Sequence, residues 1–365
     1  MIKVLNITMH AVNNYGSVLQ TLATEKIFRD LNCDIETLDY IQDNLQLNSI
    51  YKIIKNGGPG WKIKLKQILY LFLKRKKQID SLDEFRRKFL HMSKRRYMST
   101  KELYEFPPIA DIYCTGSDQT WNTLLHGVSP AYFLDFVPKN KKKIAFSASF
   151  GIEKIPNSQK KEVKKLLSKY TSISVREISG LQILHNLGIH DAQLVLDPTL
   201  VVDYDFWEKI SAERQYMKEY ILVYQLNAST FFSDFVNRFA KEKGYKIILV
   251  RSRNNTQIKN CIYMGMPKPE VVLSLFKFSK YVITDSFHAT VFSLIFHRDF
   301  IDILPPYFSS RINSLLSLTG LTNRIVTDID DYNCCNMPID WKSVDKVICS
   351  ERNKTMSFLQ KAVLI

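Results

Sequence analysis

The sequence predicts an α/β protein built from two Rossmann-like, doubly wound domains that face a cleft. Its 365 residues exceed what one hydrophobic core usually covers, and 45% are apolar while 24% are charged, as in ordinary folded proteins. Apolar β-branched runs alternate with helical apolar periods in both halves of the chain, which is typical of parallel sheets. The alternation breaks at Leu196-Asp197-Pro198-Thr199, so we place a domain boundary near residue 200.

The first domain, residues 1–200, begins with a strand, a helix and a second strand. These are predicted at 2–10, 17–31 and 35–40, with Asn13 to Gly16 between the first two elements. After an insertion at about 50–105, strands are predicted at 109–115, 143–150 and 173–175, and helices at 158–170 and 178–187.

The second domain, residues 201–345, repeats the alternation. Strands are predicted at 220–226, 246–251, 281–284 and 300–303, and helices at 231–243, 269–278, 288–296 and 310–318. This order describes a second Rossmann-like domain. Another helix is predicted at 343–363, and we expect the terminal segment 346–365 to pack back on the first domain.

The insertion has nearly all of the net charge of +15. Lys52 to Lys101 contains sixteen Lys and Arg against three acidic residues, which leaves only +2 for the rest of the chain. Five apolar residues recur there at helical spacing among basic ones, namely Trp61, Leu65, Ile68, Leu69 and Phe72. This pattern favours either an anionic membrane surface as partner or a helical insertion whose apolar stripe packs on its own domain. Nucleic acid is not expected, because no helix-turn-helix, zinc-finger or single-strand-binding signature is present.

Cysteine usage and hydropathy indicate the compartment. The six cysteines show no paired short spacing of the zinc or redox kind, and from Met1-Ile-Lys-Val-Leu we expect no secretory leader. No apolar stretch approaches the roughly 18 residues of a membrane span. We therefore expect a cytoplasmic protein, which would be peripheral on the inner face of the plasma membrane if the insertion binds lipid.

Four polar clusters follow predicted strands, at the edge where open α/β sheets bind ligands. They are Asn13 to Gly16, Gly116 to Gln119, Arg176-Glu177 and Thr284 to His288. Turns are polar for their own reasons, so each cluster alone is weak evidence. Four clusters at strand ends together indicate a binding site.

His288 and Arg176 suit a small phosphorylated acid as ligand. A helix N-terminus offers backbone N–H groups and a positive dipole end, and an imidazole there can hydrogen-bond an anion or deliver a proton. Arg176 can bind a carboxylate or phosphate through its planar guanidinium. The alternatives are a packed core His288 behind a helix capped by Asp285 or Ser286, and a structural ion pair of Arg176 with Glu177 or another carboxylate.

Other ligands have no signature in the chain. There is no P-loop, no dinucleotide glycine fingerprint, no nucleophile elbow and no metal-ligand pair on a helix. We therefore expect neither a cofactor nor a bound metal.

Five segments in order resemble the polysaccharide pyruvyltransferase family, especially its bacterial capsule and exopolysaccharide branch. They are Asn14 to Gln20, Gly116 to Asn122, Ser174 to Glu177, Asp197 to Leu200 and Asp285 to Thr290. The resemblance spans roughly residues 4–325 and covers the basic insertion poorly. It implies a fold like that of the two-Rossmann glycosyltransferases, called GT-B. It also implies that phosphoenolpyruvate donates its pyruvyl group to two hydroxyls of one sugar, with release of phosphate.

The resemblance also implies a donor site. Arg176, Ser286, Phe287 and His288 would hold phosphoenolpyruvate, with His288 at the phosphate or acting as the general acid. Many members have Arg-Leu-His where this chain has Ser286-Phe287-His288, so another cation must serve. Arg311 is the candidate, with Arg251 and Arg253 behind it, and an arginine on a helix surface is the alternative for each.

The expected acceptor is a glycan or a lipid-linked oligosaccharide. Its expected contacts are Asn14, Tyr15, Gly16, Asp118, Gln119 and Trp121. Asp118 would orient or deprotonate a sugar hydroxyl, unless it only caps its turn. Trp121 would stack on a sugar face, unless it belongs to the core.

Two other functions stay open on the sequence alone. Paired Rossmann domains often serve nucleotide-sugar glycosyltransferases, in which Arg176 and His288 would face a diphosphate. A non-catalytic scaffold of a polysaccharide assembly complex is the other option, because Ser286 stands in place of the family arginine.

Overall fold

Two parallel sheets, one in each half of the chain, form the framework of the computed structural model. It describes residues 1–41, 81–251, 257–305, 309–330 and 337–364. The chain divides into two units, Met1–Pro198 with Ser357–Ile365, and Thr199–Met356. The division lies beside the predicted boundary at residue 200, and the terminal residues group with the first unit.

The sheet of the first unit has seven parallel strands in the described part of the chain, in the order β3-β2-β1-β4-β5-β6-β7. They are β1 (Ile2–Ile7), β2 (Cys33–Tyr40), β3 (Met92–Tyr97), β4 (Ile112–Thr115), β5 (Lys142–Ala148), β6 (Ser172–Val175) and β7 (Gln193–Leu194). The strand order reverses between β1 and β4. Open α/β sheets bind ligands at the carboxyl ends of such a pair.

Helices connect these strands. They are α1 (Tyr15–Asp30), α2 (81–89), α3 (Thr100–Glu105), α4 (Thr123–His126), α5 (Asn157–Leu167) and α6 (Ile178–Asn186). The side chain of Asn14 caps α1 by accepting a hydrogen bond from Gly16 N at 2.9 Å. This cap fixes where the chain leaves the loop after β1 and enters the helix.

The sheet of the second unit has five parallel strands among the residues described, in the order β10-β9-β8-β11-β12. They are β8 (Tyr220–Tyr224), β9 (Lys246–Val250), β10 (Cys261–Gly265), β11 (Tyr281–Thr284) and β12 (Asp299–Asp302). Here the order reverses between β8 and β11. The carboxyl ends of these two strands form the second switch point.

The remaining helices belong mainly to the second unit. They are α7 (Pro198–Val201), α8 (Tyr204–Ile210), α9 (Thr230–Lys243), α10 (Pro269–Phe278), α11 (Phe287–Ile295), α12 (Ser310–Thr319) and α13 (Trp341–Leu364), with a 3-10 turn at Thr322–Arg324. Every residue of α11 is buried. Because its sequence has no Asp, Glu, Lys or Arg, the helix can be covered on all sides.

Three predictions of secondary structure were incomplete. Met92–Tyr97, inside the insertion that we expected to be helical, is a strand that pairs with β2. Lys94, Arg95 and Arg96 are exposed on this edge strand, so it lacks the apolar run of a central strand. The strand Cys261–Gly265 and the helix α8 were not predicted. The helix predicted around Trp61 to Phe72 lies outside the described residues.

Candidate functional site

Asp118 lies in a strained turn directly after β4. Its φ is 84°, a left-handed conformation that costs energy for a residue with a side chain. Its carbonyl oxygen accepts from Ser149 N at 3.0 Å and from Thr120 N at 2.8 Å. These bonds fix the turn, so the carboxylate projects from a rigid position at the first switch point.

The carboxylate of Asp118 is held on both oxygens. Oδ2 accepts a hydrogen bond from the Ser17 hydroxyl on α1, and Oδ1 accepts from Gln119 N at 2.8 Å. Nη2 of Arg176 lies 3.3 Å from the same Oδ1. The side chain keeps 11% of its surface exposed. A carboxylate oriented in this way can accept a proton from a hydroxyl that approaches its exposed part.

The guanidinium of Arg176 is completely buried among carboxylates. Nη1 donates to Asp197 at 2.5 Å and to Ser117 Oγ at 3.0 Å, and Nε lies 4.0 Å from Glu177. Burial by itself would lower the pKa of Arg176, but Asp197, Asp118 and Glu177 more than offset this and raise it. The surroundings match the alternative of a structural ion pair, although the close partners are Asp197 and Asp118. Direct binding of phosphoenolpyruvate by Arg176 stays a prediction.

Glu177 braces the loop that follows β5. Its Oε1 accepts from the hydroxyl of Ser149 at 3.0 Å and from the backbone N–H groups of Phe150 and Gly151 at 2.8 and 3.1 Å. The same loop holds the carbonyl of Asp118 through Ser149 N. Arg176 and Glu177 therefore act on one rigid assembly at the carboxyl edge of the first sheet.

Most of the other residues predicted to contact the acceptor lie near Asp118. Tyr15 and Gly16 are buried in the first turn of α1, and Asn14 is half-buried at its cap. Gln119 is half-buried, and its Oε1 accepts from Asn122 Nδ2 at 2.6 Å. The structure brings these residues to the first switch point, as the strand ends predicted.

Trp121 is a core residue, which corrects the expectation that it stacks on a sugar. It has no exposed surface, its ring stacks on Phe133 with centres 5.7 Å apart, and Phe150 packs 5.3 Å away. Its Nε1 donates to Tyr132 O at 3.2 Å. A sugar has no access to either face of this ring.

Arg86 supports the loop after β1, a role that the sequence did not reveal. Its Nε donates to His10 O at 2.8 Å and its Nη2 to Val12 O at 2.9 Å, while Nη1 pairs with Asp83 at 2.6 Å. Arg86 belongs to the basic segment Lys52 to Lys101. Its charge is thus used inside the first unit to shape the approach to Asn14.

Asp285 organises the second switch point. Its Oδ1 accepts from Leu226 N at 2.7 Å, and its Oδ2 accepts from Asn227 N at 2.7 Å and from Asn227 Nδ2 at 3.0 Å. Burial raises the pKa of Asp285, although these three hydrogen bonds lower it in part. Asp285 therefore ties the turn after β8 to the end of β11 and does not cap α11.

His288 lies in the first turn of α11, beside Ser286. Ser286 is the N-cap residue, yet its side chain makes no capping bond, and its own N donates to Thr284 Oγ1 at 3.0 Å. The first backbone N–H groups of a helix have no acceptor within the helix itself and sit at its positive end. His288 is 92% buried and its ring packs against Phe287. These features give the turn the properties of an anion site.

Arg311 is next to this turn. The guanidinium carbon lies 5.7 Å from the centre of the Phe287 ring, and the side chain is half-buried at the start of α12. Arg251 is buried at the end of β9, two strands away from β11. Arg253 lies outside the described residues. Arg311, the predicted replacement for the missing arginine, therefore lies beside Phe287, the residue after Ser286.

Asp302 lies beneath α11 and was not anticipated. Thr290 Oγ1 lies 2.8 and 3.0 Å from its two carboxyl oxygens. Burial raises the pKa of Asp302 to about 8, and the charge of Asp285 adds to the shift, while the bond with Thr290 opposes it. Asp302, which contacts the helix that holds His288, therefore keeps its proton to a higher pH than an exposed aspartate does.

The described ranges contain neither a cluster of metal ligands nor a membrane-spanning helix. No group of three or more His, Cys, Asp or Glu side chains there has the spacing of a metal site. No helix of the described chain is both long and apolar enough to cross a bilayer.

Comparison with known proteins adds the family and the fold. The model of the family described as polysaccharide pyruvyl transferase matches residues 14–303, most of the chain. No curated protein sequence matches closely enough to count as a relative.

Solved structures with similar folds include one protein from Listeria monocytogenes and one from S. aureus. A putative UDP-N-acetylglucosamine 2-epimerase from Listeria monocytogenes has a TM-score of 0.51 at 8% identity, over 99% of this chain and 91% of that one. MnaA of S. aureus, solved with UDP, has a TM-score of 0.53 at 8% identity, over 95% of this chain and 87% of that one. At this identity the likeness shows the fold alone. The predicted fold class, α/β with two Rossmann-like domains, is confirmed.

Proposed function

The chain belongs to the polysaccharide pyruvyl transferase family, and on this premise we propose that phosphoenolpyruvate is its donor and that two hydroxyls of one sugar receive the pyruvyl group. The family match confirms the resemblance and makes the protein a polysaccharide pyruvyltransferase. The proposal adds the donor, the cyclic ketal and the release of phosphate. It is supported by the anion site at Ser286 to His288.

The proposed reaction needs one acid, one base and an anion site. Protonation of the methylene carbon of phosphoenolpyruvate gives a cationic carbon stabilised by oxygen, and the first sugar hydroxyl attacks that carbon and loses its proton. Loss of phosphate then allows the second hydroxyl to attack and close the ketal. The two hydroxyls lose two protons in all. One replaces the proton that was added to the methylene carbon, and the other leaves with the phosphate.

We assign the donor phosphate to the first turn of α11. The backbone N–H groups there point at an anion, and Arg311, beside Phe287, supplies the positive charge that Ser286 lacks. His288 in the same turn would contact the phosphate or deliver the proton. The presence of Arg311 beside Phe287 is the observation on which this assignment depends.

We assign the acceptor side to Asp118. Ser17 and Arg176 hold its carboxylate, and an oriented carboxylate can accept the proton of a sugar hydroxyl. In this proposal Arg176 is a positioning residue, because its guanidinium has no exposed surface. Asn14 and Gln119, both half-buried, are the proposed neighbours of the sugar.

Donor binding can be tested on the purified protein by calorimetry with phosphoenolpyruvate. We expect Arg311→Gln to weaken binding by about tenfold or more, because a charged hydrogen-bond donor to an anion is lost. Arg238→Gln is the matched control, since Arg238 is exposed on α9 and pairs with Asp330. Equal affinities in all three proteins would remove Arg311 from the donor site.

Transfer of the pyruvyl group can be followed with isotope-labelled donor substrates. The protein is incubated with carboxyl-labelled phosphoenolpyruvate, or with labelled nucleotide sugars, and a panel of oligosaccharides and lipid-linked glycans. Label in the glycan together with phosphate release is the expected result with phosphoenolpyruvate. Label that enters only from a nucleotide sugar would reject pyruvyl transfer in favour of glycosyl transfer.

A membrane location is part of the same proposal and has its own test. Lys52 to Lys101 would bind anionic headgroups and hold the enzyme near a lipid-linked acceptor. Arg86 and Arg96 are not part of this charge, since they pair with Asp83 and Asp39. Replacing the lysines between 52 and 77 with Gln should abolish binding to phosphatidylserine vesicles; undiminished binding would end the idea.

A further inference from the structure

Gln225 is a buried amide whose polar atoms are unused. It directly follows β8 and is 99% buried, yet neither Oε1 nor Nε2 has a hydrogen-bond partner within the described part of the protein. Buried side-chain amides are normally paired, because an unpaired one has lost its water without compensation. Gln225 lies at the second switch point, where open α/β sheets bind ligands.

The hydrogen-bond ladder continues past the ends of the strands and fixes the neighbours of Gln225. Gln225 N donates to Val250 O at 3.3 Å, and Arg251 N donates to Gly265 O at 3.1 Å. On the other side, Asp285 accepts from Leu226 N. Gln225 therefore lies between Arg251 of one neighbouring strand and Asp285 of the other.

Strand alternation places these three residues on one face of the sheet. A single core cluster contains the aromatic rings of α9 and seven residues on, or directly after, β8, β9, β11 and β12: Ile221, Val223, Ile247, Leu249, Ile283, Ile301 and Ile303. Side chains two residues apart share a face, so Gln225, Arg251 and Asp285 continue the rows of Val223, Leu249 and Ile283. The result is a polar row of guanidinium, amide and carboxylate above an apolar core.

The groups in this row differ in what they can still bind. Both oxygens of Asp285 already accept bonds from the turn at Leu226 and Asn227. The amide of Gln225 keeps a donor that is unused among the described residues, and the buried guanidinium of Arg251 brings a positive charge one strand away. An amide donor beside a positive charge suits a planar anion, above all a carboxylate.

We propose that Gln225, together with Arg251, binds the carboxylate of the donor substrate. This inference rests on the proposed function, because it takes the donor phosphate to lie at Ser286 to His288. That turn immediately follows Asp285, so it adjoins the polar row. Phosphoenolpyruvate has its carboxylate and its phosphate on one carbon. The polar row can therefore bind the carboxylate while the adjoining turn at Ser286 to His288 binds the phosphate. Gln225 would thus select a phosphorylated enol that has a carboxylate over one that lacks it.

The test compares two ligands that differ only in the carboxylate. Vinyl phosphate is phosphoenolpyruvate without that group, and binding of both is measured by calorimetry on the full-length protein. Gln225→Leu removes the amide and keeps the approximate size, while Gln225→Glu keeps the shape and adds a negative charge. Gln215→Leu is the control, because Gln215 is exposed and bonds only to Glu213 O among described residues.

We expect Gln225→Leu to weaken the binding of phosphoenolpyruvate roughly 10- to 100-fold, which is the loss expected for a hydrogen bond to a charged group. Vinyl phosphate should bind to Gln225→Leu with the affinity that it has for wild type. Gln225→Glu should lose even more affinity for phosphoenolpyruvate, because its added negative charge repels the carboxylate. The melting temperature of the ligand-free Gln225→Leu protein should not fall, because no bond within the described protein is lost. A stable variant that no longer distinguishes the two ligands would support the carboxylate role.

Two results would overturn the inference without touching the proposed function. One is wild-type affinity for phosphoenolpyruvate in Gln225→Leu, and the other is an equal loss for both ligands with a lower melting temperature. A wild-type protein that binds neither ligand would instead overturn the proposed donor, and the inference with it.

Discussion

Arg176 Nη1 and Asp197 Oδ2 are 2.5 Å apart, and neither side chain has any exposed surface. Such a pair is costly to bury, but removing one partner is costlier, because the other is left as an unpaired charge inside the protein. The pair joins the end of β6 to the motif at Asp197 to Leu200. It thus supports the region where the first unit ends.

Arg176→Met should lower the free energy of unfolding by about 3 to 5 kcal/mol. Urea denaturation measures this loss, and Arg238→Met, at an exposed ion pair, should cost less than about 1 kcal/mol. Adding Asp197→Asn to Arg176→Met should restore part of the stability, because the unpaired charge disappears. Equal stability of wild type and Arg176→Met would contradict the structural role. The predicted contact of Arg176 with phosphoenolpyruvate can be tested on Arg176→Lys if this variant is as stable as wild type. The measurement is the affinity of the variant for phosphoenolpyruvate.

Asp118→Asn should reduce kcat about 100-fold or more, because an amide keeps the shape of the side chain but cannot accept the hydroxyl proton. The affinity for phosphoenolpyruvate should stay unchanged. Steady-state kinetics with both substrates measure the effect, and Asp34→Asn, at an exposed position of β2, is the control. A variant with wild-type kcat would reduce Asp118 to a turn residue.

His288→Asn should affect turnover more than binding. Asparagine keeps a hydrogen-bond donor in the first turn of α11 but cannot transfer a proton. The comparison needs the phosphoenolpyruvate dissociation constant and the single-turnover rate of phosphate release. Parallel losses in both quantities would favour a binding role over acid catalysis.

Arg86→Gln should raise the KM for the acceptor and leave phosphoenolpyruvate binding unchanged. The two bonds from Arg86 to His10 O and Val12 O fix the loop that leads to Asn14, and glutamine is too short to make both. Arg87→Gln is the matched control, since Arg87 is the exposed neighbour on the same helix. An unchanged acceptor KM would show that the loop keeps its shape without Arg86.

Asp302→Asn should change how stability depends on pH. The pKa of Asp302 is raised from 3.8 to about 8 by burial, so between these values the folded protein keeps a proton that the unfolded chain has released. Stability from this group therefore falls as pH rises through that window. As the pH rises through this window, the free energy of unfolding of the variant should increase relative to that of wild type by up to about 1.4 kcal/mol per pH unit. Urea denaturation at pH 5 to 8 gives the slope; Asp234→Asn, at an exposed residue of α9, should run parallel to wild type.

Central strands were predictable because buried parallel strands are continuous apolar runs. Tyr281–Thr284 was predicted with the bounds observed, and Lys246–Val250 within one residue. The edge strand Met92–Tyr97 was not, because its exposed basic side chains repeat no apolar pattern. The polar clusters at strand ends were predictable for the same reason as the central strands, since the apolar run shows where each strand stops.

The sequence by itself determined the fold class, the family and the turns in which the candidate site residues lie, because apolar periodicity and short motifs are local properties of the chain. Only the tertiary structure decided which groups those side chains meet. An arginine binds a ligand anion or a buried carboxylate equally well, and Arg176 meets Asp197 and Asp118, which are 21 and 58 residues away. Trp121 suits a sugar or a core, and packing alone put it in the core. Gln225 is an ordinary residue after a strand until burial leaves its amide without a partner among the described residues.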